Sequence, residues 1–404
     1  MLGIGASALL LPTPLVVSAL AAVAVAAVVD ALASRELPEL ARTCPDVLSR
    51  GVPAALEVVP DRALKRIWVR QPTPPDITVS PAEQGGGLAA QIVASRRGHH
   101  AIGSFGVRSY GPLGLGQSLH RCGEDLEVVV FPDMPAARRL ASQVQRGTFA
   151  LEGRRRRGPI GLGTEFESIR AYVPGDDVRQ VNWAATARSN EPMVNQWRLE
   201  QDRDVICLLD AGRLMAAPIA DRTRMDAAVD VAAAVAAVAD VVGDRPGVVV
   251  FRDEILRDLA PAHRGANAVA EAIFDIEPEP VESDYIAAFQ HVAGRKRALV
   301  VVLTDIVEES AARPLAEAIP VLARRHSVII GGVRDPDLDA ALANQIDDIE
   351  DIARAAVALD VLTARHRVVA TLQRHGAAVV ESELGEFSAR IVAAYLKAKS
   401  LVRF

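Results

Sequence analysis

Two carboxylates pose the first chemical question in this chain. Asp210 closes an apolar run, Val205 to Leu209, and Asp305 follows another, Ala298 to Leu303. Both runs read as buried strands, so both acids stand at strand carboxyl ends. Like charges brought together there are unfavourable unless a cation or hydrogen-bond donors offset the repulsion. The pair points either to a bound hard cation or to a metal-free surface on which Asp210 pairs with Arg213 or caps backbone amides. A second charged stretch runs from Gly163 to Arg188. Glu165, Glu167 and Arg170 crowd one end of a short element, and Pro174-Gly175-Asp176-Asp177 is a turn signal. Ion pairs among Arg170, Asp176, Asp177, Arg179 and Arg188 would fix this loop on a sheet, with Tyr172 and Trp183 packed beneath it. The same ordered polar surface would serve a docking partner.

Other chemistries have no foothold. There is no Gly-x-x-x-x-Gly-Lys-Ser/Thr loop, no Gly-x-Ser-x-Gly elbow and no His-Glu-x-x-His helix, which excludes the phosphate cradle, hydrolase elbow and zinc helix those patterns build. Cys44, Cys122 and Cys207 are far apart and odd in number, so they form neither a disulfide framework nor a Cys-x-x-Cys pair. Cys207 lies inside an apolar strand and reads as a core residue. His99-His100 would point to opposite faces of a strand, which argues against a metal pair. Arg154 to Arg157 form a basic run suited to phosphate, acidic lipid or a solvated face. A net charge of -6 argues against a chain-wide nucleic-acid footprint.

The elements that must position these residues fall into four parts. Residues 1–33 hold a charge-free run, Leu2 to Val29, long enough to cross a bilayer at about 20 residues per span. It reads as one span from about Leu15 to Leu32 or as a short hairpin, with Pro12 and Pro14 breaking the run. A signal peptide would carry a basic n-region, and the first basic residue is Arg35. Arg35, Arg42 and Arg50 on the C-terminal side place the soluble part in the cytoplasm by the positive-inside rule. Residues 34–150 alternate short apolar runs with turn residues, the pattern of a β-sandwich-like domain, and Pro135 to Gln145 reads as a connecting helix. Residues 151–202 are the polar segment. From 203 to 404 continuous apolar strands alternate with helices: a doubly wound, mostly parallel α/β sheet covered on both faces. Its working edge lies beyond the strand carboxyl ends, where Asp210 and Asp305 stand. The long helix from Asp221 to Val242 takes Asp221 as N-cap and Gly243 as its stop.

The polar segment resembles the signature of the bacterial "domain of unknown function 58" family. The matching residues are Glu165-Phe166, Arg170-x-Tyr172, Gly175-Asp176-Asp177-x-Arg179, and Trp183 through Ala187-Arg188, with Asn182 where the family usually carries Asp. Leu209 to Met215, Glu282-Ser-Asp-Tyr285, Leu303-Thr-Asp305 and Val333 to Pro336 also match. The strand-end acids resemble those of a von Willebrand factor type A domain, which holds a divalent ion through Asp-x-Ser-x-Ser, a Thr and a later Asp. Here Asp210 and Asp305 match, Gly212 and Leu214 replace both serines, and Ser283 stands for the Thr. The resemblance implies a degenerate metal site at Asp210, Ser283 and Asp305, with Mg²⁺ its weak candidate ion. It also implies a non-enzymatic membrane-anchored adaptor of a MoxR-type AAA+ ATPase, acting in chaperone-like assembly or activation of other proteins. The alternatives are a metal-dependent hydrolase or adhesion module, and an envelope-binding protein.

Overall fold

The computed structural model describes residues 13–37, 39–61, 66–149, 165–173, 181–198, 202–305, 309–343 and 348–401. It divides into two compact units, Met1–Val130 and Phe131–Phe404. The first opens on helix α1 (Thr13–Ala33), whose stretch Pro14–Ala33 is long and apolar enough to cross a membrane. Residues 1–12, which would form the first half of the alternative hairpin, lie outside the described residues.

Eleven strands follow: β1 (Leu40–Thr43), β2 (Val47–Ser49), β3 (Ala54–Pro60), β4 (Ile67–Arg70), β5 (Ile77–Ser80), β6 (Glu83–Gly85), β7 (Leu88–Ala94), β8 (Gly98–Ile102), β9 (Phe105–Tyr110), β10 (Gln117–Cys122) and β11 (Leu126–Phe131). They form three antiparallel sheets, β1-β3-β7-β5, β10-β9-β4-β6 and β2-β11-β8. Alternate residues point to one shared interior, as the period of two requires: β7 buries Leu88, Ala90, Ile92 and Ala94. That core gathers Leu56, Ile67, Val69, Ile92, Phe105, Val107 and Val128 from all three sheets. His99 and His100 lie on β8, and His100 Nε2 meets the Arg96 carbonyl at 3.0 Å.

The second unit begins with helix α2 (Met134–Gln145). The division therefore falls earlier than the boundary expected at 150, and α2 is a layer of the α/β unit rather than a connector. Next come β12 (Glu165–Ala171), α3 (Trp183–Ser189) and β13 (Met193–Arg198), with β12 and β13 paired as an antiparallel ribbon. The main sheet is built from β14 (Asp204–Asp210), β17 (Arg245–Phe251), β18 (Ile255–Leu259), β19 (Ala298–Leu303), β20 (Ser327–Val333) and β21 (Ala377–Ser382); β15 (Pro218–Ile219) and β16 (Arg222–Thr223) form a small hairpin. Its spatial order is β18-β17-β14-β19-β20-β21. All neighbours are parallel except the edge pair β17 and β18. The edge strand β18 and helix α8 below are elements the sequence did not announce.

Connecting helices are α4 (Arg224–Val241), α5 (Ala266–Ile273), α6 (Tyr285–Ala293), α7 (Glu309–Ala323), α8 (Pro336–Ala343), α9 (Ile349–Arg374) and α10 (Phe387–Leu401). Successive strand residues face opposite sides. Val205, Cys207 and Leu209 pack with α4, α5 and α10, while Ile206 and Leu208 pack with α6, α7 and α9. Burial pushes the Cys207 thiol up to about 12, consistent with a core residue.

Helix α4 is buried along nearly its whole length, because the sheet lies on one side and α2 on the other. That explains its Ala/Val composition: a helix apolar all round needs cover all round. Asp230 on α4 accepts from the Asp133 backbone at 3.2 Å, and Arg222 reaches the same carboxylate. Thr223, not Asp221, caps α4, in a capping box with Asp226; Asp221 pairs with Arg222 instead. Gly243 adopts φ +79 just past the helix, the left-handed stop its position predicts.

His326, buried just before β20, accepts the Ala298 N–H on Nδ1 at 3.1 Å. Burial holds its imidazole below the ordinary value. The folded form thus binds fewer protons than the unfolded form, and stability falls as pH drops below about 6.5. Urea midpoints measured from pH 7.5 to 5.5 should decline more steeply for the native chain than for His326→Asn; parallel curves would refute this.

Candidate functional site

The strand order reverses between β14 and β19, the place where open α/β sheets gather ligands. Asp210 ends β14 there and is 1% exposed. An isolated buried carboxylate is strongly unfavourable, and four donors surround this one. The Gly212 N–H donates to Oδ1 at 2.8 Å and the Ser283 hydroxyl at 2.5 Å; the Tyr285 and Thr304 hydroxyls reach Oδ2, each at 2.7 Å. Tyr285 opens α6, whose cap Asp284 accepts the Ala287 N–H. Its ring stands edge-on to Phe251 and Phe289. Burial first, then the Asp210 carboxylate, push the Tyr285 phenol well above its ordinary value, so it stays a proton donor at any physiological pH.

Asp305 faces another partner. Arg224, at the first position of α4, donates from Nη1 to Asp305 at 3.0 Å and to the Val333 carbonyl at 3.2 Å, and its Nη2 reaches Asp335 at 3.3 Å. Arg224 and Asp305 are both buried. The Val333 carbonyl also accepts from Arg365 at 3.0 Å, and Arg365 is ion-paired with Glu381. Arg213, which could have neutralised Asp210, pairs with Glu282 at the rim. A groove of about 240 Å³ continues from this edge, lined by Arg334, Asp335, Asp339, Leu362, Arg365, His366 and Glu381.

The predicted ligand set is therefore split. Asp210 and Ser283 meet, but Asp305 turns to Arg224. Ser283 also occupies a different place from the one expected: a Cβ on Gly212 would lie 2.1 Å from its Oγ. Its hydroxyl fills the space of the missing side chain at 212, and Thr304 supplies the threonine contact. Both Asp210 oxygens are engaged by donors and Asp305 faces a permanent cation. A hard divalent ion seeks six or more oxygen ligands, and these residues do not fit one. Among the described residues no three His, Cys, Asp or Glu side chains converge.

Of the signature residues, Glu165 begins β12, and Arg170 and Tyr172 mark the end of that strand. Trp183 and Arg188 lie on α3. Asp176, Asp177 and Arg179, like Arg154 to Arg157, lie outside the described residues. Trp183 is 70% exposed, so it does not pack beneath the segment. Asn182 caps α3 by accepting the Ala185 N–H at 2.9 Å, and its amide donates to Asn195 at 2.8 Å. Asn182→Ala is expected to cost about 1 kcal/mol, while Asn182→Asp is nearly neutral because the Asn195 amide can turn to donate. Urea denaturation of both variants checks the contrast.

Fold and site together define a mixed α/β sheet with a self-satisfied polar centre at its switch point. The chain belongs to the family described as "Protein of unknown function DUF58", whose profile matches residues 168–378. It is similar to the uncharacterized proteins Mb1516 of Mycobacterium bovis and Rv1480 of Mycobacterium tuberculosis, each 28% identical over 184 residues, 44% of this chain and 56% of theirs. The chain thus spans about half the length of the curated relatives it matches. A solved Bacteroides ovatus GH5 xyloglucanase bound to a XXXG heptasaccharide aligns at 12% identity over 90% of this chain and 100% of that one, with a TM-score of 0.15, too low for any structural likeness.

Proposed function

We propose that this chain is a membrane-anchored interaction protein with a von Willebrand factor type A-like domain, not an enzyme. In this reading it serves as an adaptor for a MoxR-type AAA+ ATPase in assembling or activating other proteins. The observation that carries the reading is the closed centre: hydroxyl and amide donors satisfy Asp210, and Arg224 pairs with Asp305. The strand order with a single antiparallel edge strand supports the type A-like assignment.

Apolar side chains suited to docking lie beyond the carboxyl edge. Helix α9 has 26 residues, about 39 Å at 1.5 Å each, roughly twice the length of the strands beside it. Its C-terminal half is buried through Val368 and Leu372, while Ile349, at 84%, with Ile352, Val357 and Leu359 stands exposed. Trp183 is a second exposed anchor. Helix α1 supplies the membrane span, and Arg35, exposed just after it, favours a cytoplasmic soluble part. Arg42 and Arg50 are taken up by the β-rich unit.

The test is sedimentation velocity of the detergent-solubilised full chain with a purified MoxR-type ATPase from the same organism, with and without ATP and Mg²⁺. A nucleotide-dependent complex, weakened at least tenfold by Trp183→Ala or Ile352→Glu in folded protein, is expected. No complex in any nucleotide state would overturn the ATPase partnership.

A further inference from the structure

The loop between β9 and β10, Gly111-Pro112-Leu113-Gly114-Leu115-Gly116, is clamped to the end of α1. Asp30 is buried in the last turn of that helix and accepts the N–H groups of Leu113 at 2.6 Å, Leu115 at 2.6 Å and Gly116 at 2.8 Å. Gly111 donates to the Gly116 carbonyl at 3.1 Å and Gly114 to the Gly111 carbonyl at 3.0 Å. Pro112 has no N–H, so every amide proton of the loop is used. The contact is tight: a Cβ on Gly111 would stand 2.3 Å from Asp30, and one on Gly116 2.4 Å from the Ala31 backbone. Ser34 strengthens the junction, meeting the Ser118 hydroxyl at 2.8 Å.

Against this closed backbone the two leucines face outward, Leu113 63% and Leu115 58% exposed. They sit at the level of Asp30, three residues before the end of the apolar stretch Pro14–Ala33. Three residues are about 4.5 Å of helix, and the 20-residue stretch matches the hydrocarbon thickness of a bilayer, so the loop lies at the headgroup–acyl boundary. Irregular backbone approaches hydrocarbon at less cost when its polar groups are paired, and every N–H of this loop is taken. The Arg66 guanidinium donates to the Gly111 carbonyl at 2.7 Å, placing a cation beside the same turn.

We propose that loop 111–116 is a second membrane contact, in which Leu113 and Leu115 enter the headgroup–acyl boundary beside α1. The helix and loop then hold the β-rich unit in one orientation to the bilayer, where a lone span would leave it free to swivel. This rests on the reading of α1 as a membrane span.

The test uses the full chain with Cys44 and Cys122 replaced by serine, carrying one environment-sensitive fluorophore on Leu113→Cys, Val23→Cys or Glu350→Cys. Each is reconstituted in phosphatidylcholine–phosphatidylglycerol vesicles containing a lipid with a spin label high on the acyl chain. Quenching at Leu113 several-fold above that at Glu350, with quenching at Val23, is expected. Quenching at Val23 but not at Leu113 overturns the loop contact and leaves the span standing. Quenching at neither overturns the span and the loop contact together.

Discussion

Arg224→Met is expected to destabilise the second unit by about 3–5 kcal/mol, because it removes the cation paired with the buried Asp305 carboxylate. The guanidinium holds three acceptors at once, Asp305, Asp335 and the Val333 carbonyl. These belong to the β19 edge, the β20 end and the loop before α8, so the loss is felt across half the sheet. A drop in melting temperature of the order of 10 °C follows. The double variant Arg224→Met with Asp305→Leu should recover much of the loss, since removing both charges of a buried pair is often close to neutral. A thermal-melt double-mutant cycle reads this directly. Additive losses would mean that the pair is not coupled.

Lys399→Met is expected to cost a similar amount, again about 3–5 kcal/mol, at the opposite end of the sheet. The Lys399 ammonium and the Asp244 carboxylate are both fully buried and 2.6 Å apart. Asp244 also accepts the Tyr395 hydroxyl and the Arg203 N–H, the latter at 3.2 Å. Burial first, then Asp244, push the Tyr395 phenol well above its ordinary value, so it remains a donor. This cluster locks α10 to the loop after α4, and α10 brings Ile391, Val392 and Leu396 into the core. Limited proteolysis should therefore release the C-terminal helix first in Lys399→Met. Wild-type proteolytic resistance in that variant would show that apolar packing alone holds α10.

The sheet was legible because its chemistry is local. Runs such as Val205 to Leu209 and Ala298 to Leu303 are short and apolar at every position, as a strand covered on both faces requires. Strand β18 was not, since Ile-Leu-Arg-Asp-Leu carries two charges and lies on the edge, where half its surface meets water. Helix α2 looked like a connector because nothing in its own residues reveals that α4 needs a second cover.

The site divides in the same way. Asp210 and Asp305 were found from their places at strand ends, and Ser283 and Tyr285 from a short matching stretch. Arg224 was missed, because an arginine at a helix start reads as a solvated side chain and its acidic partners lie 81 and 111 residues away in sequence. Nor could the pattern show that Ser283 takes the place vacated by a side chain at 212, which depends on the approach of the 281–283 segment to Gly212. Asn182 stood out in the sequence only as a departure from the resembled signature, whereas its side chain caps α3.

The acids at the strand ends are satisfied from within the chain. Isothermal titration of Mg²⁺ and of Mn²⁺ into the detergent-solubilised full chain tests this most directly. No saturable binding is expected at millimolar ion, because Asp210 already accepts from four donors and Asp305 holds Arg224. One-to-one uptake that is abolished by Asp210→Asn or by Ser283→Ala, in protein shown to be folded, would contradict it.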